Sequence, residues 1–290
     1  MLVTSVLGWS LGTVFSKMAL LEGASVLPLF VVQLVTSFIF VVLFVIVFER
    51  NGQDHSKRYW WLGLLEPGLA YLVATYGLAL TSATNAVVIQ SSESFMIVLI
   101  VFMVFKSRIT IIQLGAGCVL FIGALLVCVP DLSKLLHLDE YGKGDLLILI
   151  GTFCAALYVS LTSKIIKGNV MPGRYMMFQL GVALVSLILF VSIVDSPSLF
   201  QVIPAINKWS IGSGVLTFGV SFILYLYGMR YTSVATSAFV LCLTPVFGIV
   251  FAFSIIGEKF QTLVAYAGFG LVLIGMLTMS YEEKRLEKIS

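Results

Sequence analysis

Apolar residues fill ten stretches of the chain, roughly 2–21, 28–48, 59–80, 85–105, 110–129, 145–166, 172–194, 209–230, 233–256 and 261–281. Each is close to the ~20 residues that a helix needs to cross a bilayer. The polar segments between them are short. The longest are "ERNGQDHSKR", "PDLSKLLHLDEYGKG" and "DSPSLFQVIPAINK", and the chain closes on "EEKRLEKIS". The pattern predicts an all-α integral membrane protein with ten transmembrane helices. The first stretch begins at Met1 with no basic region before it and runs to Leu21. It therefore reads as a span rather than a cleavable leader.

The spans repeat. Residues 62–94 slide onto 213–245 without a gap, a shift of 151, and seven positions are identical, among them Gly63/Gly214, Tyr76/Tyr227 and Thr81/Thr232. "FSKMA" in span one is similar to "LTSKII" in span six, "VVQL" in span two to "MFQL" in span seven, and "FIGALL" in span five to "LIGMLT" in span ten. The matches keep one order through all five pairs, which points to two five-helix repeats, 1–130 and 145–281, and a short tail, 282–290. Five is odd, so the second repeat enters the membrane from the opposite side. Inverted repeats of this kind build an alternating-access site near the midplane.

Charge orients the array. Only Lys17, Lys134, Lys143, Lys208 and Lys259 of the 17 Lys and Arg fall on the side away from the termini. Basic residues concentrate on the cytoplasmic side, so both termini are expected there, in a multi-pass protein of the cell (inner) membrane. Composition agrees: 60% of residues are hydrophobic and 11% charged, against about 25% charge in a soluble domain. A net charge of +3 implies no nucleic-acid partner. Metal-protease, nucleophile-elbow and phosphate-loop motifs are missing, so no enzyme and no cofactor is expected. Cys118, Cys128, Cys154 and Cys242 all lie in apolar runs and read as buried packing thiols.

Two carboxylates interrupt this pattern. Glu93, in "VVIQSSESFMIV", sits about nine residues into span four, roughly 13 Å deep at 1.5 Å per residue. A charge at such a depth costs on the order of 2.5–3.5 kcal/mol on insertion scales. Glu66, in "LLEPGLAY", lies about seven residues into span three. The repeat matches Glu66 with Thr217 and Glu93 with Thr244, so the scaffold itself does not require either charge. Glu93 can bind a proton or the cationic end of a substrate; alternatively it is held for packing, with Ser92, Ser94 or Gln90 as donors. Glu66 precedes Pro67, which disfavours helix there, so it can also simply cap or kink span three. Lys17 and Lys164 lie near span ends. They either snorkel to the headgroups or serve as counter-ions for Glu93 or for a substrate carboxylate. Gly8, Gly12 and Ser16, like Thr152, Ala156 and Ser160, form small-residue stripes for close helix approach. Trp60 and Trp61, beside Lys57 and Arg58, read as an interfacial anchor.

The segment "TSVATSAFVLCLTPVFGIVFAFSIIGEKF", with Thr244-Pro245 and Gly257-Glu258-Lys259, and the paired "YG…TSA" hairpins resemble the EamA branch of the drug/metabolite transporter superfamily. The resemblance covers nearly the whole chain. It implies a ten-helix transporter whose central cavity is lined mainly by spans 1, 3, 4, 6, 8 and 9. Members move amino acids, amines, other metabolites, drugs or nucleotide sugars; many bacterial ones export. Glu93 matches the glutamate of a Glu-Pro pattern common in relatives, but Ser94 stands in place of the proline, which leaves span four expected to be stiffer than span nine. Lys106, Ser107 and Arg108 replace Gly-Glu-Lys in the first half. Gln33 stands where many relatives carry arginine, which argues against an anionic cargo.

In the spans expected at the centre, Trp9, Tyr71, Tyr76, Phe95, Tyr158, Phe222, Tyr225 and Tyr227 offer ring faces to organic cations or ordinary helix packing. With Glu93, Glu66, Gln33 and Gln90, the residues Trp9, Tyr76, Tyr158, Tyr225 and Tyr227 are the candidate substrate- or proton-binding set. The expected partners are a small-molecule substrate, protons and the lipid bilayer, in a monomer or homodimer. The expected function is proton-coupled movement, as export, of a small polar or cationic metabolite of amino acid or amine type. An uncoupled facilitator, a lipid-linked-sugar flippase and a membrane scaffold subunit are the alternatives.

Overall fold

The computed structural model describes all residues except 51–54, 106–109, 129–139, 195–201, 233, 242, 261 and 288–290. The described residues are helical and contain no strand. In chain order the helices are α1 (Leu2–Leu21), α2 (Val26–Phe48), α3 (Ala70–Leu80), α4 (Ala83–Gln90), α5 (Glu93–Phe105), α6 (Ile111–Cys128), α7 (Glu140–Ile165), α8 (Pro172–Val194), α9 (Lys208–Gly214), α10 (Phe222–Tyr231), α11 (Val234–Leu241), α12 (Thr244–Phe251) and α13 (Leu263–Glu287). Among the described residues, each of the ten apolar stretches is mainly helical. Six helices are long and apolar enough to cross a membrane, and Leu64–Leu80, Ile111–Ala124 and Thr244–Ile256 are shorter apolar helices.

Contacts between helices come in reciprocal pairs. The first helix packs against α9 and α10, and α7 packs against α3. Likewise α2 meets α8, α4 meets α12, α5 meets α11, and α6 meets α13. Small residues permit these approaches, as the stripes in the sequence predict. Side chains at Gly8 and Gly12 would collide with Ser221 and Thr217.

Both matched spans three and eight carry a wide π-helical segment at the same repeat position, Leu64–Leu69 and Val215–Ser221. Wide turns of this sort cluster at functional sites. In the first, Glu66 is extended (φ −147°, ψ 127°) and the helix breaks, as the proline after it requires. In the second the helix runs through.

Span four is not the stiff rod that the missing proline suggests. It is divided at Ser91–Ser92 into α4 and α5. Ser91 and Ser92 donate their hydroxyls back to the Val88 and Ile89 carbonyls, which bends helices without proline. Ser94, in the proline's place, donates to the Ala238 carbonyl of α11 at 2.9 Å and so ties the two halves together.

The turn joining α3 to α4 is held from three sides. The Lys17 ammonium donates to the Leu78 and Thr81 carbonyls at the end of α3 (2.9 and 2.5 Å). Gly257 adopts φ +79°, a left-handed conformation suited to glycine, which turns the chain so that Glu258 reaches the start of α4. There its carboxylate accepts from the Ala83 and Thr84 amides (3.0 and 2.8 Å) and the Thr84 hydroxyl (2.6 Å). Asp145 accepts from the Thr81 hydroxyl at 2.6 Å. Lys17 is thus neither a snorkelling group nor a counter-ion to Glu93, whereas Lys164 is exposed. Cys118 is also exposed and Cys154 is half-buried, so these two are not the enclosed packing thiols expected. The side chains of Cys128 and Cys242, and the Lys106–Arg108 segment, lie outside the described residues.

Candidate functional site

A cavity opens where the broken and widened spans meet. From the first half, Trp9 and Thr13 of α1, Glu66, Tyr71 and Ala74 of span three, and Gln90 and Glu93 of span four line it. From the second half, Gly151, Thr152, Ala155 and Val159 of α7, Phe222 and Tyr225 of α10, and Leu241 and Thr244 of span nine line it. The lining comes from spans 1, 3, 4, 6, 8 and 9. The repeat shift of 151 pairs residues of this lining: Tyr71 with Phe222, Ala74 with Tyr225, Gln90 with Leu241, and Glu93 with Thr244.

Local structure presents each group. The break at Glu66 aims a carboxylate at the cavity from the middle of span three. The division of span four does the same for Glu93, which opens α5. Ser92 and Ser94 donate to backbone carbonyls, so neither serves as the packing donor that the sequence suggested for Glu93. Glu66 is buried, and among the described residues its Oε2 has no hydrogen-bond partner; nor has the Trp9 Nε1 donor. Buried polar atoms are normally paired, so an unused acceptor and an unused donor on one cavity are what a ligand would meet. The Trp9 ring stands edge-on to Phe222 (5.2 Å, 88°) and to Tyr225 (5.0 Å, 64°), and Tyr71 lies 6.0 Å from Phe222.

A second, smaller cavity adjoins the first and shares Thr13, Tyr71, Ala74 and Gln90 with it. Gln33 lines it and donates to the Ser16 and Ser213 hydroxyls at 2.8 and 2.7 Å, joining α1, α2 and α9.

Of the candidate residues, Glu93, Glu66, Trp9, Tyr225 and Gln90 come together on the larger cavity, and Gln33 on the smaller. Three do not join them. Tyr158 is buried and donates to Gln179 Oε1 at 2.7 Å. Tyr227 donates to Glu49 Oε1 at 2.6 Å. Tyr76 is 40% exposed. Sequence reasoning passed over Glu49, whose carboxylate also accepts from the Gly173 and Arg174 amides (2.9 and 2.8 Å) at the start of α8. Acid at a helix N-terminus is a familiar pairing, but this helix lies 124 residues further on, and nothing local announces the contact. Thr13, four residues after Trp9 on the same helix face, is a lining residue that its spacing could have revealed. The described residues hold no cluster of three or more His, Cys, Asp or Glu suited to a metal.

The comparisons with known proteins agree with this geometry. Over 250 residues the chain is 26% identical to "Uncharacterized transporter YyaM" of Bacillus subtilis, covering 83% of this chain and 80% of that one. It is 24% identical over 250 residues to an "Uncharacterized transporter" of Methanothermobacter thermautotrophicus, covering 81% and 70%. A crystal structure of a protein 13% identical in sequence shares the fold over 98% of both chains, with a TM-score of 0.67. The sequence profile of the EamA-like transporter family matches residues 1–129 and 142–281. This multi-pass membrane protein belongs to the EamA-like transporter family.

Proposed function

We propose that the protein is a secondary active carrier that moves a small polar or cationic metabolite by alternating access, coupled to protons and working as an exporter. The observation that carries the proposal is the pair Glu66 and Glu93 on one mostly apolar cavity. Two carboxylates sharing one mostly apolar space within the spans call for positive charge beside them: a proton, an organic cation, or one of each. Exchange of the two at the same groups is the simplest route to coupling. The reciprocal contacts of the helices support ten spans in two inverted repeats, 1–130 and 145–281, since each packing of one half recurs with the halves exchanged. The basic residues support cytoplasmic termini in the cell (inner) membrane.

A pH-sensitive dye sealed inside proteoliposomes tests the coupling. Addition of a transported cation is expected to move protons in the wild type and not in Glu93→Gln. Proton movement of equal size in that variant would show that Glu93 is not the coupling group.

A further inference from the structure

We infer that the cargo is an amine with an aromatic or otherwise apolar body and no carboxylate. The inference rests on the carrier reading above and narrows it. The repeat-related pairs polarise the cavity. In three of the four, the first half supplies the more polar member: Glu93 against Thr244, Gln90 against Leu241, Tyr71 against Phe222. The first half therefore supplies the acids of the lining, and the second half supplies Phe222, Tyr225, Leu241 and small residues of α7. An ammonium group fits the acids, and an apolar body fits the rings and apolar side chains beside them. Ring faces beside the acids also attract the cation. The unpartnered Trp9 Nε1 offers one donor to a neutral oxygen on that body.

An amino acid would add a carboxylate, and the described lining of both cavities holds no Lys, Arg or His to receive it. Lys17 is engaged by two carbonyls at the α3–α4 turn, and Lys164 is exposed. A third carboxylate would sit beside Glu66 and Glu93, where low dielectric strengthens repulsion.

Initial uptake into proteoliposomes decides this with matched probes: tyramine and tyrosine, phenethylamine and phenylalanine, and ethanolamine as an amine without an apolar body. Each aromatic amine is expected to enter at least roughly tenfold faster than its amino acid and than ethanolamine, and both Glu66→Gln and Glu93→Gln slow it. Amino acids entering as fast as their amines, with both variants still slow, overturn the cargo class and leave the carrier site intact. Amine uptake indifferent to both variants overturns the site itself. No uptake of any amine overturns the class. Tryptophan fluorescence of the wild type provides a readout that needs no variant: phenethylamine should quench it and phenylalanine should not, and equal quenching by both contradicts the inference.

A different observation carries a second proposal. We propose that Lys17 and Glu258 lock the α3–α4 turn and keep the smaller cavity shut at that end. The two groups satisfy the last carbonyls of α3 and the first amides of α4 from two other spans, so the turn cannot swing away without leaving these backbone groups unpaired. The repeat places Ser107 opposite Glu258, and the first half has no acid there. In a cysteine-free background, Ala86→Cys on the smaller cavity reports opening to an impermeant maleimide applied from the side away from the termini. Glu258→Gln or Lys17→Met should speed labelling at least roughly fivefold, and Thr84→Val, which removes only the hydroxyl donor, should speed it less. Unchanged labelling in the first two variants overturns the lock.

Discussion

The two halves of this chain share one scaffold and divide the chemistry between them. At the same repeat position, each third-type span widens into a π-helical segment, but one carries Glu66 and the other Thr217. At the division of each fourth-type span, one carries Glu93 and the other Thr244. Gln33 on α2 ties three helices through two serines, while its counterpart Gln179 on α8 takes a bond from Tyr158 and leaves its Nε2 unpartnered among the described residues. What both halves keep is geometry: breaks, wide turns and close-packed stripes. What only one keeps is charge. In the alternating-access carrier proposed above, shared geometry would serve the exchange of the two open states, and unshared charge would serve the cargo.

Substitutions at matched positions can break that comparison. The largest effect is expected at Glu93: Glu93→Gln should cut initial amine transport in proteoliposomes roughly a hundredfold, the scale on which a desolvated charge partner is lost. Thr244→Val should change it less than about threefold. Glu66→Gln against Thr217→Val should follow the same order with a smaller gap, about tenfold against about threefold, because Glu66 also sits at a backbone break that the substitution leaves in place. Equal losses at both members of either pair would mean that position, rather than charge, matters. Stability separates the glutamines. Gln33→Leu removes two buried hydrogen bonds, those it donates to the Ser16 and Ser213 hydroxyls, and should cost about 1–3 kcal/mol, read as a fall in thermal midpoint in detergent. Gln179→Leu strands one tyrosine and should cost about half as much. Smallest is a graft at the other end: Ser107→Glu should slow transport about twofold if a carboxylate there locks the second turn as Glu258 locks the first. Faster transport would count against that symmetry.

Much of this was legible in the sequence because a bilayer leaves little choice. Apolar runs of span length must be helical to satisfy their own backbone, so the ten stretches and their order follow directly from the pattern. The repeat, once aligned, supplied the matched positions, and a resemblance supplied the lining spans. Which face of a helix turns inward was less legible. A span that is apolar all round carries little directional information, so Tyr76, Tyr158 and Tyr227 could not be told from Trp9 and Tyr225 by composition. The bend in span four was hidden for another reason. Proline is a visible breaker, but Ser91 and Ser92 act through hydroxyl bonds to carbonyls, which the same residues need not make elsewhere. Lys17 and Glu49 were misjudged or overlooked because their partners lie 61 to 178 residues away.

Equilibrium binding of radiolabelled phenethylamine to the protein in nanodiscs tests most directly the claim that the acids of the first half hold the cargo. The wild type should bind saturably, Glu66→Gln and Glu93→Gln should each weaken binding at least about tenfold, and Thr217→Val and Thr244→Val should leave it within about threefold. Binding unchanged in both glutamine variants, or lost equally in the threonine variants, would contradict it.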